Sequence, residues 1–144
     1  MNQLERNKQI VRDFFDLMNQ GRVADAFAMT TPDFLWWGGA GDTAAGITLT
    51  AEELIPVESD FMKNFDGPLI TTLGVMTAED DRVVVEAETL GMLKNGRTYN
   101  NSYSQHFVIR DGRVASWREH YNTALVEKVV GDLLRQSGNP TVSA

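Results

Sequence analysis

Glu119 is flanked at two-residue spacing by Trp117 and Tyr121, and this is the arrangement in the sequence best suited to proton chemistry. In an extended chain, residues two apart point to the same side, so this carboxyl shares a face with two bulky aromatic side chains. Burial among them disfavours the charged form and raises a carboxyl pKa by up to ~3 to 5 units. That is the condition for a general acid or base working near neutral pH. A structural role is equally open: the carboxylate accepts from Tyr103, Asn101 or a backbone amide and ties a sheet to a helix. Tyr99, Asn101, Tyr103, Gln105 and Phe107 occupy alternate positions of the preceding segment, an apolar face interrupted by amides and phenols. Such groups hold a developing oxyanion, or pair with one another.

Glu86 and Glu88 also share one face, with Val84, Leu90 and Met92, and periodicity alone leaves open whether that face turns inward. Two carboxyls placed close together drive their pKa values apart and divide acid and base roles. Trp36 and Trp37 are adjacent, so they point to opposite sides and one of them supplies an aromatic wall to any cavity. His106 and His120 fall on the face opposite Glu119 and lack a metal-ligand spacing, so no metal site is indicated. The glycines from Gly38 to Gly46 lack the strand and helix context of a nucleotide-binding loop.

These residues need elements to place them. Apolar residues recur at three- and four-residue spacing from Gln3 to Asn19, which predicts an amphipathic helix ended by Gly21. A short helix over Val23 to Met29 is stopped by Thr31-Pro32, and a strand is expected over Phe34 to Trp37. Four glycines and three alanines between Gly38 and Gly46 read as a mobile loop and a candidate lid. Thr50 and Glu53 form a capping box. Pro56 lies too far along for a first helical turn, so the helix is expected from about Val57 to Phe65, after a short turn. The period then becomes two, with strands expected over Leu69 to Thr77, Arg82 to Lys94, Thr98 to Arg110 and Arg113 to Tyr121. Turn residues at Asp80-Asp81, Asn95-Gly96 and Asp111-Gly112 make them an antiparallel meander. Asn122-Thr123 opens a closing helix with Leu125, Val126, Val129, Val130, Leu133 and Leu134 on one face, before a frayed tail from Ser137.

The chain of 144 residues has 13 Lys plus Arg against 20 Asp plus Glu, a net charge of −7, and no cysteine. One domain spanning residues 1–144 is expected. The charge balance argues against sequence-independent nucleic-acid binding. Thiolate zinc sites, thiol nucleophiles and disulfides are excluded. The first twenty residues lack a signal-peptide core, and no run of ~18 apolar residues follows. A cytoplasmic protein without membrane contact is expected.

Helices followed by a long twisted sheet give an α+β fold in which one sheet face is buried against the helices. The segments GlyArgThrTyrAsnAsnSerTyr (96–103) and PheValIleArgAspGlyArgValAlaSerTrpArgGluHisTyrAsnThrAla (107–124), with ValArgAspPhePheAspLeuMetAsnGlnGlyArg (11–22), resemble the SnoaL-like family. That family belongs to the nuclear-transport-factor-2-like superfamily, with ketosteroid isomerases, polyketide cyclases and limonene epoxide hydrolases. The resemblance implies a cone-shaped, curved antiparallel sheet wrapped over N-terminal helices, an α+β barrel. It implies cofactor-free acid/base chemistry (cyclisation, isomerisation, dehydration or epoxide opening) on a small hydrophobic or polyketide-like substrate. Glu119 matches a catalytic aspartate of the relatives; alternation along the strands adds Tyr103, Asn101 or Gln105 as oxyanion donor and Trp36 or Trp37, Tyr99, Asn101, Gln105, Phe107, Trp117 and Tyr121 as expected substrate contacts. The epoxide hydrolases carry an inward arginine and aspartate where this chain has Glu86 and Glu88, which implies an inward, catalytic Glu88. With Glu86 in place of the arginine, their machinery is incomplete. The isomerase tyrosine and aspartate would fall near Phe14 and near Trp37-Gly38, so that mechanism does not transfer. A homodimer through the outer sheet face, using Thr98, Asn100, Ser102, Ser104, His106 and Arg118, is also implied. A non-catalytic binding or dimerisation module of the same fold is the alternative.

Overall fold

In the computed structural model residues 1–142 are described, and the chain runs α1 (Gln3–Asn19), α2 (Val23–Phe27), β1 (Thr30–Gly38), β2 (Ile47–Thr50), α3 (Ala51–Met62), β3 (Ile70–Glu79), β4 (Arg82–Met92), β5 (Thr98–Arg110), β6 (Arg113–Tyr121) and α4 (Thr123–Gln136). The six strands form one curved, unclosed sheet in the order β2-β1-β6-β5-β4-β3. The expected meander is its right-hand part. At the β5–β6 turn Asp111 and Gly112 both have positive φ, of 52° and 73°, as a tight hairpin requires.

Helix α1 starts at Asn2, whose side chain accepts from the Glu5 amide, and buries Val11, Phe14, Phe15 and Met18. It ends at Gly21, with φ of 74°. The Arg22 amide then bonds back to the Leu17 carbonyl at 2.9 Å, the reverse turn that lets α2 fold against α1. The Phe14 ring meets Phe15, Phe27, Phe107 and Trp117 edge-on, an arrangement that favours ring edges against ring faces.

Several boundaries differ from the sequence reading. Strand β1 begins at Thr30, and Pro32 costs it nothing because the register with β6 slips between Thr30 and Leu35, where no ladder bond is available to lose. The glycine-rich stretch is the loop of a hairpin, since β2 pairs antiparallel with β1 from Leu35↔Thr50 to Gly38↔Ile47. Trp37 Nε1 donates to the Ala45 carbonyl at 2.8 Å and holds that loop down. Strand β1 also runs parallel to β6, so the sheet is not purely antiparallel. The capping box at Thr50 and Glu53 is present, and α3 starts directly after it, with Pro56 inside the helix. The amide that proline lacks would have reached the carbonyl of exposed Glu52, which water satisfies. After α4 the chain does not fray at Ser137: Gly138 has φ of 70°, and the Asn139 amide bonds to the Leu134 carbonyl at 2.9 Å.

Inward residues of neighbouring strands fall into rungs. One carries Trp36, Trp117, Phe107 and Val83, and the next carries Gly38, Glu119, Gln105 and Val85. The first rung lies in an apolar cluster with α1 and α2. A second cluster, built on Phe65, Leu93, Tyr99, Val130 and Leu134, fills the other end under α4. The polar rung lies between the two.

Candidate functional site

A cavity of about 110 Å³ opens where the two apolar clusters fail to meet. Its walls are Phe15 and Met18 of α1, Trp36 of β1, Leu54, Glu58 and Phe61 of α3, and the inner face of the sheet. Asn139 and Thr141, turned back by the end of α4, complete it. The glycine-rich loop contributes no lining residue, so it is not a lid over this cavity.

Glu119 is only 7% exposed. Its Oε1 accepts from Trp36 Nε1 at 2.7 Å and its Oε2 from Gln105 Nε2 at 3.1 Å. Trp117 Nε1 donates to Gln105 Oε1 at 2.6 Å, which leaves only the amide nitrogen of Gln105 to face the carboxyl. The order Trp117 to Gln105 to Glu119 is therefore fixed from the indole onward. Trp36 reaches its position by folding under Gly38, where a Cβ would stand 2.2 Å from the indole Cη2. Burial pushes the Glu119 pKa up to about 7, against the lowering effect of these two donors.

Sequence reasoning missed Glu58. It projects from α3 into the same cavity and has no hydrogen-bond partner among the described residues. Burial first, and then the negative charge of Glu119, pushes its pKa up to about 8. Two carboxyls thus line one cavity, Glu119 buried and Glu58 half-buried, and together they hold a proton near neutral pH. The signal was present as a glutamate inside the apolar stripe Leu54, Phe61 and Met62, at helical spacing. A helix beginning only at Val57 contains Glu58 but leaves out Leu54, and with it the stripe that marks the buried face.

Along β5, Asn101 Nδ2 donates to the Tyr99 hydroxyl at 3.2 Å, and the Tyr99 and Tyr103 hydroxyls are 2.5 Å apart. Tyr99 accepts from the amide, and either phenol can donate in its contact with Tyr103. Burial raises the pKa of Tyr99, Tyr103 and Tyr121, so all three stay protonated. A further polar edge is made by Thr71 and Thr89, whose hydroxyls are 2.9 Å apart.

Of the residues expected at the site, Trp36, Tyr99, Tyr103, Gln105, Trp117, Glu119 and Tyr121 line the cavity. Three expectations and the inward Glu86–Glu88 pair need correction. Glu88 and Glu86 are exposed on the outer face, where Glu88 accepts from Asn100 Nδ2 at 2.8 Å. Inward positions of β4 are instead Val83, Val85, Ala87 and Thr89, because apolar burial decides which way an ambiguous strand turns. Trp37 faces outward, under Arg118 at 4.1 Å and beside His120. Phe107 is stacked on Trp117 in the core. Asn101 is consumed as a clamp, bonded to Tyr99, the Asn122 carbonyl and the Asn122 amide. His106 and His120 lie edge-on at 5.3 Å on the outer face, as alternation predicts. Among the described residues no group of three or more potential metal ligands occurs, and no helix is long and apolar enough to cross a membrane.

An open curved sheet over helices, with its cavity between sheet and α3, defines the nuclear-transport-factor-2-like cone. The SnoaL-like domain profile matches residues 11–117, and the chain belongs to that family. Among solved structures, PrhC from Penicillium brasilianum aligns with a TM-score of 0.81 at 12% identity, over 98% of this chain and 96% of its own. A Jannaschia protein assigned as a SnoaL-like polyketide cyclase aligns at 0.73 and 20% identity, over 90% and 95%. An NTF2-like protein from Burkholderia thailandensis aligns at 0.71 and 22% identity, over 85% and 95%. These likenesses describe the fold. No curated protein matches the chain.

Proposed function

We propose that this protein is a proton-transfer enzyme of the SnoaL-like type acting on a small, largely apolar cyclic substrate. The observation that carries this reading is the facing of Glu58 and Glu119, from different elements, in one cavity. Glu119, held by two donors, is the better bearer of charge and takes the proton as base. Glu58, unpartnered and with the higher pKa, returns a proton as acid. Tyr103, or Tyr121 beside it, donates to the oxygen on which charge develops. At about 110 Å³ the cavity is smaller than the engineered one of about 150 Å³ that accommodates benzene, so it takes no more than one ring, with any further part of the substrate projecting through the opening.

A second reading has its own support. Both Glu119 oxygens are already satisfied within the protein, as a non-catalytic binding module would have them. A thermal-shift and turnover panel of small cyclic ketones, terpene epoxides, steroids and polyketide aromatics separates the two, since a ligand at a hundred times its Kd adds ~2.7 kcal/mol of stability. The enzyme reading expects turnover of a stabilising compound, lost in both Glu119→Gln and Glu58→Gln. Binding without turnover in any protein favours the module.

A homodimer through the outer sheet face is part of the same proposal. That face presents His106, His120 and Arg118 around Trp37, a patch that a two-fold contact would set against its own copy.

A further inference from the structure

The lining of the cavity contains two carboxyls and no Lys, Arg or His. All six ion pairs among the described residues are on the surface, and none involves Glu58 or Glu119. The donors that reach Glu119 are neutral, an indole and an amide. Buried carboxyls normally have a cation opposite them, and here the protein supplies none. What it does supply is π faces: Trp36, Phe61, Tyr99, Tyr103 and Tyr121 border the same space. Aromatic walls with carboxyls among them are the composition that recognises an ammonium group.

We propose that the cavity binds an apolar amine of about one ring, as its ammonium, with the nitrogen between the Glu58 and Glu119 carboxyls. The ammonium has three donors and no acceptor, which matches the free oxygens of Glu58 and the acceptor lone pairs of the tyrosine hydroxyls. The net charge of −7 attracts cations from solution. An anionic ligand of the same shape meets no positive group anywhere on the wall. This inference rests on the reading above only in treating the cavity as the ligand site, and proton transfer is not needed for it.

The test is calorimetric titration of the intact protein, at one pH near 7 and constant ionic strength, with benzylamine, benzyl alcohol and benzoate. Benzylamine is expected to bind about tenfold or more tightly than benzyl alcohol, and benzoate more weakly than either. Glu58→Gln is expected to reduce the difference between amine and alcohol, Glu119 still being present, and Glu86→Gln, on the outer face, to leave it intact. Equal affinities, a preference for benzoate, a preference undiminished in Glu58→Gln or reduced equally in Glu86→Gln, or no binding by any of the three would overturn the proposal. The acid/base reading is judged separately by turnover of uncharged substrates, so either can fail while the other stands.

Discussion

At the scale of single residues, the account rests on what surrounds Glu119. Among the described residues Gln105 is the only group that serves both Glu119 and Trp117. Gln105→Leu keeps the bulk and strands a carboxyl oxygen and an indole N–H, each left unsatisfied at ~1–3 kcal/mol. Chemical denaturation is expected to show a loss of about 2 kcal/mol or more. The Glu119 pKa is expected to rise further, because a donor that favours the charged form is gone; a denaturation midpoint equal to wild type would refute this. The pH dependence of stability has a definite sign. In the unfolded chain both glutamates titrate near the ordinary value of 4.5, whereas in the fold Glu119 and Glu58 are raised to about 7 and about 8. Between those limits the native state binds more protons than the unfolded state, so stability falls as pH rises. The groups facing the pair, Tyr99, Tyr103 and Tyr121, are raised and stay neutral throughout that window. Melting temperature is therefore expected to drop between pH 5 and pH 8 by more than in Glu58→Gln, and parallel curves would count against the paired site.

At the scale of elements, the site depends on how Trp36 folds under Gly38 within β1, beside β6. Gly38 has ordinary backbone angles, so its need is space: a Cβ there would stand 2.2 Å from the Trp36 ring. Gly38→Ala is expected to displace the indole from Glu119 and cost about 1–3 kcal/mol, seen as a lower melting point with altered tryptophan fluorescence. Unchanged fluorescence would mean that the indole is held by something else. Much of this layout was legible in the sequence. Period-two alternation put Glu119, Gln105, Tyr103, Tyr99 and Trp117 on one face, because β5 and β6 are each half apolar and half polar. Strand β4 was not legible, since Val84, Leu90 and Met92 share the face of Glu86 and Glu88 while Thr89 and Gly91 dilute the other, and packing of α1 decides which face is buried. Helix α3 was misplaced by Pro56, whose cost depends on whether Glu52 is solvated, and Glu58 was overlooked with it. Strand β2 is four residues long and exists only because β1 is beside it.

At the scale of the whole molecule, the fold leaves its sheet face and its cavity to different tasks. The outer face carries Trp37, His106, Arg118 and His120. If two copies pair through it, size-exclusion light scattering gives twice the 16.0 kDa chain mass, and His106→Glu shifts it toward one; a wild-type monomer mass ends that proposal. The cavity is set by two apolar clusters, one under α1 and α2 and one under α4, that stop short of each other and leave the carboxyls in the gap. That gap is the central claim, and carboxyl-carbon NMR titration of protein labelled at glutamate tests it most directly. Two resonances are expected to titrate near neutral pH, one missing in Glu119→Gln and the other in Glu58→Gln, with Glu119→Gln lowering the remaining Glu58 value by removing its negative neighbour. Titration of every glutamate in the ordinary range near 4.5 would contradict it.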